Sequence, residues 1–75
     1  MDVKIKIGSR IKTLRESTNM SQKDLAYSAD LDRSYIASVE KGQRNISIMN
    51  IEKIAIALGI TLKEFFNYGE FDKSK

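Results

Sequence analysis

The sequence predicts an all-α domain of five short helices packed around one hydrophobic core. Apolar residues recur every three or four positions along most of the chain, and no segment alternates as a β-strand would. Proline is absent and only 4 glycines occur, so few residues interrupt a helix. A chain of 75 residues has room for one core, and residues 1–75 are therefore predicted to form a single domain.

The first helix is predicted over residues 6–18. Within this stretch Ile7, Ile11 and Leu14 recur at helical spacing and form one apolar face. Asn19 follows, and asparagine tolerates the left-handed conformation in which many helices end. The sequence therefore places the first chain reversal at Asn19.

The second and third helices are predicted from their caps. Ser21 is a good N-cap, and Asp24, three residues further on, resembles the acidic member of a capping box. This helix is expected to end near Ser28. After a short turn, Asp32 is predicted to cap the third helix, which Gly42 terminates.

Two more helices are predicted in the C-terminal half. Ser47 caps the fourth, which ends at Leu58 with a glycine directly after it. Thr61 and Glu64 form a full capping box for the fifth helix, which is predicted to reach about Tyr68. The last seven residues are predicted to fray.

Residues 21–41 form the most informative unit, two short helices joined by a tight turn. Ala26 is small enough to let these helices cross closely, while Leu31 and Ile36 fill the space between them. The outer face at the start of the third helix is left with Arg33, Ser34, Ala37 and Ser38. A helix that presents its first turns in this way is typical of a helix-turn-helix that enters the major groove of DNA.

The positive charge of the chain is concentrated in its N-terminal part. Residues 1–45 contain nine Lys or Arg and six Asp or Glu, a net charge of +3, whereas residues 46–75 contain four of each. A polyanion would be attracted to the N-terminal part. An ordinary solvated surface is the alternative, because a modest basic excess is common.

These residues resemble a known family. The segments RIKTLRE, SQKDLA, IASVEKGQRNIS, IEKIAIALGI and TLKEFF are similar to the phage repressor and Cro-like helix-turn-helix proteins, the XRE group, from Arg10 to about Phe66. LDRSYIASVEKGQRNIS is most similar to the controller proteins of restriction–modification systems. The resemblance implies a lambda-repressor-like fold and a dimeric transcriptional regulator that binds a two-fold operator and controls a restriction–modification operon.

The resemblance also implies which residues read bases: Arg33, Ser34, Tyr35 and Ser38. Arginine can donate two hydrogen bonds to one guanine, which discriminates by roughly 1–3 kcal/mol. Two alternatives remain open. Arg33 could pair with Asp30 or Asp32 on the surface, and Tyr35 could pack its ring on the core with its hydroxyl in water.

Five further residues are implied as contacts to the DNA backbone: Ser21, Gln22, Gln43, Arg44 and Asn45. Gln22 lies at the start of the second helix, where free N–H groups and the helix dipole both favour a phosphate. The alternatives are a solvent-exposed glutamine there and an ordinary polar turn after the third helix. Arg15 and Glu40 match a family pair with a structural role, joining the first helix to the third.

Residues 46–68 are predicted to carry the dimer contact. Apolar residues surround the fourth helix on more than one face, and a surface helix needs only one apolar stripe. The predicted interface residues are Ile48, Met49, Ile56, Phe65 and Phe66. The alternative is that the fourth helix is simply central to a small core.

The composition excludes several classes of function. Histidine and cysteine are absent, which excludes disulfides, zinc-finger ligation and imidazole or thiolate catalysis. No paired carboxylates or phosphate-binding glycine loop stand out, so we predict no enzyme, no cofactor and no metal. No segment approaches the ~20 apolar residues of a membrane span, and we predict a cytoplasmic protein without membrane contact.

Other interpretations share most of these motifs. A phage-type repressor or an antitoxin would have the same fold. The same scaffold could also dock a protein instead of DNA, although the polar and basic outer face of the third helix favours DNA. The predicted partners are therefore double-stranded DNA and a second copy of the chain, with RNA polymerase as a further candidate.

Overall fold

The computed structural model describes residues 2–72, and this part of the chain folds into helices without a strand. The helices are α1 (Val3–Ser17), α2 (Gln22–Ala29), α3 (Arg33–Glu40), α4 (Ile48–Ala57), α5 (Leu62–Phe66) and α6 (Gly69–Asp72). The all-α fold class and the five predicted helices are confirmed. No helix in residues 2–72 has the length and hydropathy needed to cross a membrane.

Helix α1 begins earlier than predicted, at Val3 instead of Lys6. Asp2 is its N-cap, and the side chain of Asp2 accepts a hydrogen bond from the backbone N–H of Lys4 at 2.8 Å. The side chains of Val3 and Ile5 are exposed, so the added turn extends beyond the apolar face on which the prediction depended. The Asp2 cap, and not the apolar face, therefore determines where α1 begins.

The C-terminal end also differs from the prediction. Helix α5 ends at Phe66 and not near Tyr68, and the short helix α6 occupies residues that were expected to fray. The ring of Phe71 explains this order, because its centroid lies 5.2 Å from that of Phe66 in an edge-to-face arrangement. The remaining part of the predicted frayed tail, residues 73–75, lies outside the described residues.

Both predicted capping boxes are present. In α2 the backbone N–H of Asp24 donates to Ser21 Oγ, and the backbone N–H of Ser21 donates to Asp24 Oδ2, each at 3.0 Å. This hydrogen bond from the Ser21 backbone lowers the pKa of Asp24, and the Ser21 side chain lowers it further. Thr61 and Glu64 form the same reciprocal pair in α5. Asp32 is the N-cap of α3 as predicted, but its side chain makes no capping hydrogen bond.

One core unites the helices. Its fully buried large side chains come from five helices, α1 to α5, and are Ile11, Leu25, Ile36, Val39, Ile54 and Phe65. Asn19 has the left-handed φ of 59° that was predicted for the reversal after α1. The predicted roles of Ile7, Ala26 and Leu31 in packing are also confirmed, since each is buried or packs against the core.

Gly8 allows α1 to lie directly on the end of α3. A Cβ atom at Gly8 would overlap the carbonyl oxygen of Val39 and would lie 2.9 Å from that of Glu40. These are backbone atoms, which cannot move aside as a flexible side chain can. Because only glycine permits this approach, Gly8 fixes the position of α3 relative to α1.

Arg10 joins α1 to the end of α5. Its Nε donates to the carbonyl oxygen of Phe65 at 2.8 Å, and its Nη2 donates to that of Glu64 at 2.9 Å. The guanidinium also lies 4.6 Å from the ring centroid of Tyr68. Phe65 itself is 0% exposed. The prediction that Phe65 lies at a dimer interface is therefore wrong, because its ring is buried in the core of a single copy.

Candidate nucleic-acid interface

Helices α2 and α3 form the predicted helix-turn-helix. Ala26 is 3% exposed, and its carbonyl oxygen accepts a hydrogen bond from the N–H of Leu31 at 2.9 Å across the turn. Asp30 has a left-handed φ of 58° at the same place, so the turn is sharp without a glycine. The buried side chains of Ile36 and Val39 fix the orientation of α3 against the core.

The N-terminal end of α3 presents polar side chains to the solvent. Arg33 and Ser34 are exposed, while Ala37 and Ser38 one turn later are half-buried. Within residues 2–72 no salt bridge joins Arg33 to an acidic side chain, so the alternative pairing with Asp30 or Asp32 is not observed. The guanidinium of Arg33 and the hydroxyl of Ser34 are therefore accessible to a ligand.

Tyr35 was interpreted from the sequence either as a base-reading residue or as a ring packed on the core, and the structure has features of both. Its half-buried ring packs against the core, as the structural interpretation proposed. Its hydroxyl is engaged, because Asn50 Nδ2 donates a hydrogen bond to Tyr35 Oη at 3.1 Å. The guanidinium of Arg44 covers the ring, with Cζ 4.9 Å from the ring centroid.

Asn50 was not identified from the sequence. It lies in the first turn of α4, where its backbone N–H donates to Ser47 Oγ at 3.1 Å. In the sequence, Asn50 is a polar residue among the apolar residues that begin this helix. That pattern does not predict which residue Asn50 contacts. Its contact with Tyr35 depends on how α4 crosses the end of α3, and spacing along the chain does not contain that information.

The predicted pair of Arg15 and Glu40 is confirmed and has a third member. Arg15 Nε donates to Glu40 Oε2 at 2.7 Å, and Arg15 Nη2 donates to Oε1 at 3.0 Å. Gln22 Nε2 donates to the same Oε1 at 3.0 Å. Arg15 is buried, and its pKa is raised by the hydrogen bond to Glu40, which outweighs the opposing effect of burial. This network connects α1, the start of α2 and the end of α3.

The residues implied as backbone contacts lie around the C-terminal end of α3. Gln22 is held there by Glu40, and Ser21 precedes it with its hydroxyl committed to the capping box. The other three residues are exposed in the loop that follows α3, namely Gln43, Arg44 and Asn45. The structure therefore brings the two groups of predicted backbone contacts to the same end of α3, opposite the end that carries Arg33.

Helix α4 has apolar side chains on two faces, as the sequence indicated. Ile51, Ile54 and Ala55 are buried in the core. The exposed apolar side chains are those of Ile48, Met49 and Ile56, which are 59%, 70% and 69% exposed. Phe66, the remaining predicted interface residue, is half-buried beside the core.

Comparison with known proteins gives consistent matches. The helix-turn-helix family matches residues 11–65. The control protein C.MunI from a Mycoplasma species is 51% identical over 67 residues, which cover 88% of this chain and 90% of that protein. The crystal structure of the restriction–modification controller protein C.AhdI from Aeromonas hydrophila is 48% identical with a TM-score of 0.81, covering 84% of this chain and 96% of that chain.

A third match is a complex with DNA. The restriction–modification controller protein C.Esp1396I, crystallised as a tetramer in complex with its natural 35 base-pair operator, is 36% identical. The TM-score is 0.83, and the match covers 88% of this chain and 87% of that one. The likeness therefore extends over nearly the whole length of each protein.

Proposed function

Because this chain belongs to the helix-turn-helix family, among the control proteins of restriction–modification systems, we propose that it binds double-stranded operator DNA and regulates transcription. It acts as a homodimer, and the operon that it controls encodes a restriction–modification system. It is a regulator and not an enzyme, and it works in the cytoplasm, where its DNA is located.

The observation that carries this proposal is the exposed first turn of α3. Arg33 and Ser34 lie on the surface of a helix whose opposite face is locked into the core. A rigid helix with accessible donors at its N-terminal end fits the major groove, where base edges present acceptors and donors in a sequence-dependent pattern. Gln22, Arg44 and the loop around it, which lie together at the other end of α3, supply contacts to the phosphates.

Replacing Arg33 with alanine is expected to remove sequence preference without unfolding the protein. The arginine fork would contact a guanine, so its loss should weaken binding to the preferred site by about 5- to 150-fold for each half-site, from roughly 1–3 kcal/mol per bidentate contact. Fluorescence anisotropy measures this on a duplex selected by the wild type from a random-sequence pool and on a scrambled duplex. Thermal melts verify the fold.

Two matched variants distinguish a base contact of Arg33 from a phosphate contact. Arg33→Lys keeps the charge but loses the bidentate fork, and it should also lose discrimination. Lys12→Ala removes one exposed charge on α1 and should retain discrimination. If Arg33→Ala weakens both duplexes equally and Arg33→Lys restores both, Arg33 contacts phosphate, and the base-reading role is wrong.

Binding is also expected to fall steeply with salt concentration. A dimer that neutralises about six phosphates should give a log–log slope near −5, because counterions are released from the DNA. Arg44→Ala should make the slope shallower by about 1 for each copy bound. A titration of affinity between about 50 and 200 mM salt tests this. A flat dependence would contradict the proposed phosphate contacts.

The proposed dimer places two α3 helices on one face of the DNA. Related by a two-fold axis, they would enter successive major grooves about one helical turn, ~34 Å, apart. The residues proposed for this contact are Ile48, Met49 and Ile56, the exposed apolar side chains of α4, together with the half-buried Phe66 of α5. Phe65 is excluded from it because it is buried within one copy.

A further inference from the structure

Three side chains from different parts of the chain meet beside α3. Tyr35 lies on α3 itself, Arg44 in the loop that follows, and Asn50 in the first turn of α4. Asn50 Nδ2 donates to Tyr35 Oη at 3.1 Å, and the Arg44 guanidinium lies 4.9 Å from the ring centroid. The ring also packs against the core. Tyr35 is therefore held by its ring and by its hydroxyl.

The anchor of this arrangement is rigid. Asn50 is half-buried, and its backbone N–H is bonded to Ser47 Oγ in the capped first turn of α4. Helix α4 itself is fixed in the core by Ile51 and Ile54. A side chain mounted on a packed helix holds its partner more accurately than one on a loop does.

The direction of the Asn50 hydrogen bond determines whether the Tyr35 hydroxyl can donate its proton to a ligand. A phenol hydroxyl can donate one proton and can also accept. Because the amide of Asn50 donates to Tyr35 Oη, the hydroxyl proton of Tyr35 remains to be donated elsewhere. Among the hydrogen bonds of residues 2–72, Tyr35 Oη accepts from Asn50 and donates none. Base edges in the major groove carry suitable acceptors, such as purine N7, guanine O6 and thymine O4.

We propose that Asn50 is a positioning residue for sequence recognition, which directs the hydroxyl proton of Tyr35 toward an acceptor on a base edge. Arg44 covers the ring and so limits its rotation. This inference rests on the proposed function, because it assigns a specific task to the same surface of α3. Asn50 itself does not contact the bases.

A double-mutant cycle between Asn50→Ala and Tyr35→Phe tests the inference. The probes are a duplex that the wild type selects from a random-sequence pool and a scrambled duplex of the same length. Asn50→Ala should weaken binding to the selected duplex by about three- to tenfold for each half-site, the effect of one net hydrogen bond. Binding to the scrambled duplex should not change. In the Tyr35→Phe background, Asn50→Ala should have no further effect, since the hydroxyl is already absent.

The control is Asn67→Ala, the same substitution at an exposed position that makes no contact with Tyr35. It should leave both affinities unchanged, and melts should show that every variant is folded at the temperature of the binding measurement. If the two losses add in the double variant, Asn50 acts independently of Tyr35, and the inference is wrong while the proposed function stands. An equal loss on both duplexes means a phosphate contact and also overturns it. A wild type that selects no sequence overturns the proposed function and this inference together.

Discussion

Glu40→Ala is expected to reduce the free energy of unfolding by about 3–5 kcal/mol, the usual cost of removing one partner of a buried ion pair. The loss is severe because Arg15 would stay buried with an uncompensated charge. Two of its donors, Nε and Nη2, would lose their acceptors, and Gln22 would lose its own partner. Natural domains have a total stability of about 5–15 kcal/mol, so this single change removes a large part of it.

Chemical denaturation and thermal melting measure the effect, with an expected fall in Tm of more than about 10 °C. Glu52→Ala is the matched control, because Glu52 is exposed on α4 and makes no ion pair among the described residues. The combined variant Arg15→Met with Glu40→Leu should recover much of the loss, since it removes the buried charge instead of stranding it. A Glu40→Ala protein as stable as Glu52→Ala would show that Arg15 finds water or another acceptor.

The Arg15 and Glu40 pair illustrates what the sequence can predict. Family resemblance identified the pair, and the caps at Ser21 and Thr61 followed from local chemistry, because a capping box involves residues only three positions apart. The hydrogen bond from Gln22 to Glu40 spans the interface between two helices. It depends on the angle at which α2 meets the end of α3, which local patterns do not specify.

Three predictions were wrong because they depended on more than the spacing of apolar residues. Periodicity marks Phe65 as apolar but cannot distinguish a residue that faces its own core from one that faces a second copy. Helix α1 was predicted to begin where its buried face begins, whereas the Asp2 cap adds a turn whose apolar side chains remain exposed. The order of α6 depends on Phe71 reaching the ring of Phe66, a contact between aromatic residues in a segment with no helical pattern of its own.

The second large effect is the loss of the proposed dimer, which is expected when a charge is placed on the exposed apolar face of α4. Met49 is 70% exposed on α4, beside Ile48 and Ile56, so an aspartate there is well tolerated by a single copy. In a two-fold contact the same residue of each copy lies near its mate, and Met49→Asp would place two like charges in a dry interface. We therefore expect a folded monomer.

Sedimentation equilibrium and thermal melting of Met49→Asp, Phe65→Asp and Thr13→Asp separate the possible outcomes. Phe65→Asp should unfold, because its side chain is 0% exposed and the new carboxylate would be buried without a partner. Thr13→Asp adds the same charge to the exposed surface of α1 and should remain a dimer. A wild type that is monomeric at tens of micromolar, or a Met49→Asp protein that stays dimeric, contradicts the proposed interface.

Loss of the dimer should reduce DNA binding far more than any single contact does. When two linked half-site contacts bind one duplex, the second contact is made at a high effective concentration, which raises the affinity by about 10²–10⁴. Met49→Asp should lose an amount in this range on a duplex with both half-sites. It should bind a duplex with one half-site as weakly as the wild type does when only one of its copies can engage the DNA. Because Arg33 and Tyr35 remain intact in this variant, its residual binding should keep the same base preference, which would separate the role of α4 in assembly from the role of α3 in recognition.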